Sequence, residues 1–521
     1  MSEALRFPFR ISQQTTTSPI FRVRGQRSRW FYPDQRLTPE HCEVMRNIDL
    51  SERGVAHSRF GYGDYTTQGQ LSPSESVVGI KEVTYSSGTK KRVIVTPDRV
   101  YTDSGTARTN ITGSALTGTD NDRVQFAFLK DQLLINNAHD QIRVWNGTGN
   151  TADLAASSGS LPWTKAKGIY EHKNLLIAFG TTEGGNYKPT RIRWCDISRQ
   201  TYEVDINTWP DNNRYEIYDG GTAIVGAADN WGTSLIFKED GLYPGEIFYD
   251  QLGFFDYRLA SPIRGFSPMA KHSIIARPEF VCGIAQEGIF VIRPDLSFEI
   301  ANLDDNTDFF KLNQEQLKNC VAYVREREHQ VRFLVSDSTS GFNKIVVWDW
   351  ETGDTWIDLP SDTLNFAARI IDDNNVERDL LGTLDGDLYE ANNAQFDTDA
   401  GKGFTWRIKM APNDLGAPGK SKHILNVRTL YRKRAGQQTI TFRANFDEGR
   451  SSSYTETLTV GSGLKYNEGN KYNDGLKWPG AGALRADVFV NRVCETIAPE
   501  WTSADPASIE GYVVEYISLE G

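Results

Sequence analysis

The chain has few of the residues that usually carry covalent or metal chemistry. Its five cysteines, Cys42, Cys195, Cys282, Cys320 and Cys494, are odd in number and widely spaced in 521 residues. With no C-x-x-C pair among them, neither a zinc site nor a disulfide framework is indicated, and reduced apolar fillers are the simplest reading. That usage fits synthesis in the cytosol. The seven histidines (41, 57, 139, 172, 272, 329 and 423) never recur at three- or four-residue spacing. Neither H-E-x-x-H nor G-x-S-x-G occurs, so metal and Ser-His chemistry have no local signature. No run approaches about eighteen uninterrupted apolar residues, so no membrane-spanning helix is expected. The opening "MSEALRFPFRISQQ" lacks the charged-then-apolar layout of a secretory signal.

Lysine is absent from residues 1–60, which hold ten Arg and six acids and so carry a surplus of four positive charges. The whole chain has net charge −11, so the remainder carries −15. Such a balance argues against general nucleic-acid affinity. An Arg-only basic segment on an acidic body fits docking, because guanidinium forms bidentate pairs at interfaces. Arg22, Arg24, Arg27, Arg29, Trp30 and Arg36 are the candidate docking residues.

What the chain does contain is a recurring pattern of apolar strand, short polar turn and second apolar or aromatic strand. It appears in "RVIVTPDRVYTDSG" (92–105), "LLINNAHDQIRVW" (133–145), "NLLIAFGTTEGGNYKPTRIRWCD" (174–196), "SLIFKEDGLYPG" (234–245), "FVCGIAQEGIFVIRPD" (280–295), "VRFLVSDSTSGFNKIVVWDW" (331–350) and "RDLLGTLDGDLYEA" (378–391). Ile94, Ile135, Ile177, Ile236, Cys282, Leu334 and Leu381 mark the first-strand centres, at steps of 41, 42, 59, 46, 52 and 47. Hairpins at a period in the forties predict an all-β fold, a β-propeller of about seven blades within a range of six to eight. In the third stretch Ile192 and Trp194 alternate with Arg191 and Arg193, as on opposite faces of a strand. "GTTEGGNYKP" is expected to be a long inter-strand loop.

After about residue 402 the texture changes. Alternation over Phe404–Met410, Ile424–Leu430, Thr439–Ala444 and 509–521 predicts a C-terminal antiparallel β-sandwich. Its Gly/aromatic loop, 463–483, repeats Tyr466, Tyr472 and Trp478 at intervals of six. The expected division is a basic docking arm over 1–65, a propeller over 66–402 and a sandwich over 403–521. Helix-like patterning is confined to short pieces, 37–48 and 311–321.

The remaining motifs read as structure. "GAPGKS" (416–421) has Asp414 where a phosphate loop needs Gly, and Pro418 removes an amide. Acid clusters at 119–123, 303–308 and 371–379 lack the alternating calcium-loop pattern, and Asp and Asn commonly cap turns. "DWETGDTW" (349–356) is one residue too long for the Asp-box turn of sialidase-type propellers. No carboxylate pair is marked out for glycoside hydrolysis. Catalytic, cofactor and metal residues are all expected to be none, and the chain is read as a non-enzyme.

The N-terminal run "ISQQ…FYPDQ…VMRNIDLSERGVAHSRFGY" (11–62) resembles the opening of tail tube (nozzle) and related head–tail proteins of tailed bacteriophages. An N-x-D-x-x-x-x-G-x-x-x-R-x-G-Y frame is filled by Asn47, Asp49, Gly54, Arg59, Gly61 and Tyr62; Phe60 stands where that family often has Pro. "RIRWCD" (191–196), "SLIFKEDGLY" (234–243), "GIFVIRPD" (288–295) and "VVWDWETGDTWID" (346–358) look like blade hairpins of such virion proteins. The resemblance covers most of 1–360 at the level of pattern. It implies a structural virion protein, a homo-oligomeric ring (usually a hexamer) that extends the DNA channel below the portal and adaptor. Its partners would be portal, adaptor and other tail proteins. Viral DNA would pass without sequence recognition, and the protein, made in the host cytoplasm, would reside in the virion tail. The alternative from another class is a tail-associated propeller lectin or glycosidase acting on bacterial surface glycans; a third is a cellular propeller scaffold.

Overall fold

The computed structural model is all-β, 56% strand and 2% helix. It describes residues 16–18, 21–22, 24–26, 41–52, 55–65, 71, 75–104, 107–197, 203–249, 255–301, 311–372, 375–391, 395–416, 418–432, 438–449, 451–460 and 484–519. Two compact units are formed, one by residues 60–404 and one by residues 1–59 with 405–521.

Within 60–404 the strands follow one another in antiparallel groups of four. The first group is Gly79–Thr84, Lys90–Val95, Val100–Asp103 and Arg108–Asn110. The second is Gln125–Leu129, Gln132–Asn136, Arg143–Trp145 and Ala152–Asp153. Lys165–His172, Leu175–Glu183, Asn186–Trp194 and Arg214–Glu216 make the third. The fourth comprises Ile224–Asn230, Thr233–Lys238, Gly241–Tyr249 and Phe255–Leu259. Ile275–Ala276, Val281–Ala285, Gly288–Ile292 and Phe298–Ala301 form the fifth, and Val321–Arg325, Gln330–Val335, Lys344–Asp349 and Thr355–Asp358 the sixth. The seventh takes Leu364–Ile371, Glu377–Thr383 and Leu388–Ala391, and its fourth strand is Tyr62–Asp64, from the other end of the unit.

Turn chemistry sets this meander. Lys130 and Asp131, Lys173 and Asn174, and Trp231 and Gly232 all take positive φ between the first and second strands of their groups. Two successive positive-φ residues give the tight turn whose twist matches the flanking strands. Neighbouring groups are joined by polar contacts. Val124 N donates to Val78 O (2.9 Å), Ile169 N to Gln125 Oε1 (3.1 Å) and Lys167 Nζ to Ile224 O (2.7 Å). Asn230 Nδ2 donates to Arg277 O, Arg277 pairs with Glu326, and Arg325 pairs with Asp379. Asn365 Nδ2 then donates to Val77 O (3.1 Å), which brings the last group against the first. Apolar side chains fill the space between groups: Phe237 meets Phe290 at 5.3 Å and Phe280 meets Trp348 at 5.3 Å, centroid to centroid. Trp163, Trp194 and Trp356 are fully buried, and burial of a large apolar side chain stabilises by about 1.5–3 kcal/mol.

All seven marked centres, from Ile94 to Leu381, are buried and lie on the second strand of their group, not the first. The 59-residue step between Ile177 and Ile236 also has its cause. Between the third and fourth strands of the third group the chain makes an extra two-stranded sheet, Asp196–Ile197 with Val204–Asp205. "GTTEGGNYKP" is not a long loop: both strands run through it, and the turn is Gly184–Gly185, with φ of 53° and 80°. Ile192 and Trp194 face the apolar core as expected; Arg191 and Arg193 share the opposite face, where both pair with Glu183.

In the other unit Lys422–Arg432 lies between Leu484–Cys494 and Ser508–Ser518, and Ser508–Ser518 also pairs with Ala56–Ser58. A second sheet runs His41–Arg46, Trp406–Met410, Ile497–Ser503, Gln438–Phe446, Ser451–Val460. Gln438–Phe446 alternates strictly between buried and outward positions along most of its length, the pattern of a sheet with one covered face. The two sheets meet at Trp501, whose Nε1 donates to Thr429 Oγ1 at 2.9 Å. The sequence reading placed 1–65 in an arm and began the last domain at 403. The described part of 1–59 instead supplies strands to the unit that holds 405–521. Residues 41–46, read as helix-like, are a strand, because their partner Trp406–Met410 outweighs a weak local helical pattern. Of the piece 311–321, Gln314–Leu317 is helical, capped by the Asn313 side chain. The loop 463–483 lies outside the described residues.

Candidate functional site

Two of the six docking candidates fall on described strands. Arg22 lies opposite Gly511 on Phe21–Arg22, and Arg24 lies opposite His41 on Arg24–Gln26. Arg27, Arg29, Trp30 and Arg36 lie outside the described residues.

The residues that fill the N-terminal frame hold demanding positions. Asn47 has φ 54°, a conformation Asn tolerates better than most residues. Its Oδ1 accepts from Arg59 Nε at 3.0 Å, its Nδ2 donates to Thr405 O at 2.8 Å, and its carbonyl accepts from Arg59 N at 2.9 Å. Asp49 Oδ1 accepts from Ser51 N at 2.9 Å. A Cβ on Gly61 would sit 2.0 Å from Thr398 O, so only glycine fits there. Gly54 lies outside the described residues. Where they are described, these residue types are explained by backbone geometry and close packing.

The 60–404 unit also holds a cavity of about 670 Å³, within the range of small-molecule sites. Its wall includes Asp122, Arg123, Lys167, Glu239, Lys271 and His272. Arg123 precedes the first strand of the second group, and Lys167 lies on the first strand of the third. Lys271 and His272 sit on the short 3-10 turn Lys271–Ser273 that opens the fifth group.

The cations are held by carbonyls and amides in place of carboxylates. Lys167 Nζ donates to Ile224 O at 2.7 Å, and Lys271 Nζ donates to Lys167 O at 2.8 Å. Arg123 donates to both the carbonyl and the side-chain oxygen of Asn365 and to Asn121 Oδ1, with its guanidinium 4.8 Å from the Phe342 ring centre. Burial pushes the Lys271 ammonium down to about 8, aided by the charge of Lys167. Burial lowers Lys167 likewise and brings Arg123 to about 10. His272 is held well below the usual histidine range by burial, then by Lys271 and Arg123. Its Nε2 is buried and has no hydrogen-bond partner.

None of this cluster was marked by the sequence. Lys167, Lys271 and Arg123 are far apart along the chain and belong to no motif; only the sheet order brings them together. The acid clusters serve local structure where they are described: Asp122 accepts from Thr119 N and Oγ1, each at 2.7 Å. Asp349 of "DWETGDTW" accepts from Glu351 N and Thr352 N at 2.8 and 3.0 Å. Among the described residues no group of three or more His, Cys, Asp and Glu is placed to hold a metal ion, and no helix is long and apolar enough to cross a membrane.

No family model and no curated protein matches the sequence. Among solved structures the chain is similar to BBS1N in complex with ARL6DN, at 11% identity and a TM-score of 0.38 over 64% of this chain and 98% of that one. It is similar also to the N-terminal domain of Nup159, at 10% identity and a TM-score of 0.37 over 67% and 98%. A third is the β-propeller domain of Cps50 (Swd1) from Myceliophteria thermophila, at 9% identity and a TM-score of 0.35 over 61% and 100%.

Proposed function

We propose that this protein is a structural component of a tailed-bacteriophage virion. In this reading residues 60–404 form a closed seven-bladed propeller, and residues 1–59 with 405–521 form a β-sandwich. Copies of the chain join as a homo-hexameric ring of the tail that extends the DNA channel below the portal and adaptor. The ring acts through shape and carries out no turnover.

The observation that carries the reading is the strand Tyr62–Asp64. It completes the seventh group by pairing with Leu388–Ala391, and it belongs to the frame that resembles the opening of tail nozzle proteins. A propeller whose last blade takes a strand from the start of the unit is locked as a ring, which leaves no open sheet edge between its ends. The overall charge of −11 also suits a DNA channel, since a lysine-rich wall would neutralise phosphates, release counterions and make DNA stick. Docking falls to the arginine-rich segment, with heterologous contacts between copies closing the ring.

Sedimentation of the purified protein, alone and with its neighbouring tail protein, tests the reading. A particle of about six chains is expected, and replacement of Arg27, Arg29 and Trp30 by alanine should disperse it with no change in melting temperature. A chain that stays monomeric in both conditions, or that hydrolyses bacterial surface glycans, contradicts it.

A further inference from the structure

The cavity runs against the charge of the chain. The chain carries −11, yet the cavity wall bears four cations, Arg123, Lys167, Lys271 and Lys318, and two carboxylates, Asp122 and Glu239. Lys318 is paired with Glu315 at 2.9 Å, and Asp122 with His139 at 2.8 Å. Arg123, Lys167 and Lys271 make no ion pair among the described residues; their hydrogen bonds go to backbone carbonyls and to the amides of Asn121 and Asn365. Each lysine ammonium has three N–H groups and one protein acceptor, which leaves two free.

His272 adds a complementary group. Its Nε2 is buried and has no hydrogen-bond partner. A neutral imidazole protonated on Nδ1 presents a lone pair on Nε2. The wall therefore offers charged donors beside one neutral acceptor. Like charges crowded in a buried wall cost free energy, and a bound anion would offset that cost.

The geometry points to a seat for a small phosphate-type oxyanion, bound by Lys167 and Lys271, with His272 Nε2 accepting a hydrogen bond from the protonated oxygen. The cavity, at about 670 Å³, leaves room for a small organic group on the phosphate. It is too small for a nucleic-acid duplex, whose grooves alone are about 6 and 12 Å wide. The seat stands independently of the tail reading.

Isothermal titration of the full chain in phosphate-free buffer at about pH 5.5, where a phosphate monoester still carries one proton, with inorganic phosphate, glycerol phosphate and sulfate as probes, tests this. Saturable phosphate binding is expected, weakened about tenfold or more by Lys271→Gln or Lys167→Gln and left unchanged by Lys420→Gln. Tighter binding of glycerol phosphate identifies a phosphate ester as the ligand class; tighter binding of inorganic phosphate identifies the free ion. Sulfate has no proton to give His272 and should bind about tenfold more weakly; equal affinity would overturn the His272 contact. No saturable binding by about 10 mM phosphate, or binding unaffected by either lysine substitution, overturns the seat. Should those variants fail to fold, reductive methylation of the unaltered protein decides: phosphate should slow labelling of Lys167 and Lys271 and leave Lys420 unaffected. Equal rates with and without phosphate at both lysines reject the proposal.

Discussion

The Tyr62 hydroxyl donates to Asp362 Oδ2 at 2.9 Å, and the Asp362 backbone N–H donates back to the same hydroxyl oxygen at 2.9 Å, across 300 positions of sequence. This reciprocal pair ties the strand Tyr62–Asp64 to the far end of its unit. Burial first, then the charges of Asp399 and Asp362, raise the Tyr62 pKa well above the ordinary phenol range, so it stays a donor in alkaline solution. Tyr62→Phe removes both bonds and leaves the partly buried Asp362 N–H without its acceptor. A loss of about 1–3 kcal/mol from the 60–404 unit is expected, read from its transition in urea. An unchanged midpoint would show that this tie contributes nothing to holding the strand.

Gly61→Ala tests the same junction through sterics. The new methyl would lie 2.0 Å from Thr398 O, a backbone atom that cannot rotate away. A destabilisation of about 1–3 kcal/mol is expected from such overpacking. Gly403→Ala, where the added carbon meets nothing within 4 Å, should stay within about 0.5 kcal/mol. Comparing the two in one denaturation series separates close approach from the general effect of removing a glycine.

Glu183 makes the stability of the third strand group depend on acid. Burial alone would raise its carboxyl, but hydrogen bonds from Arg193 and Thr181, with the charges of Arg193 and Arg191, outweigh it and bring the group from 4.5 to about 2. A depressed carboxylate stabilises the fold fully above its unfolded value and loses that contribution as pH falls. The loss should therefore run from about pH 4.5 down to about 2. Glu183→Gln should flatten this part of the pH profile and lower stability at neutral pH by about 1–3 kcal/mol, because it leaves the buried Arg193 with only the exposed Asp211, 3.8 Å away, as counter-charge. A mutant profile parallel to the wild type would rule out this role.

All five cysteines are buried thiols outside any disulfide. Burial pushes Cys195 and Cys494 up to about 12 and raises Cys282 and Cys320 further. The thiolate is the reactive form, so a thiol reagent at neutral pH should titrate none of the five in the native protein and all five after unfolding. Rapid native labelling at any of these positions would contradict the burial described above.

The repeating hairpins were legible because the second strands carry apolar runs, as at Leu175–Phe179, and are followed by turns that hold Gly, Asp or Pro. Less legible were the turns before those strands, where Lys130-Asp131 and Lys173-Asn174 take positive φ without glycine. Outer strands such as Arg108–Asn110 and Ala152–Asp153 are polar and short, so they carry no periodic signal. The seventh group's fourth strand could not be read from local pattern, because its partner lies more than three hundred positions away. The cavity cations were hidden for a related reason. Lys167 and Lys271 are ordinary lysines in sequence and become a cluster only when separate strand groups meet.

Electron microscopy of the purified protein, alone and with the tail component proposed as its neighbour, tests the central claim most directly. Rings of about six copies, each showing a round, seven-lobed body from the 60–404 unit, are the predicted result. Isolated single copies under all conditions, or a 60–404 unit that opens between its first and last strand groups, would contradict it.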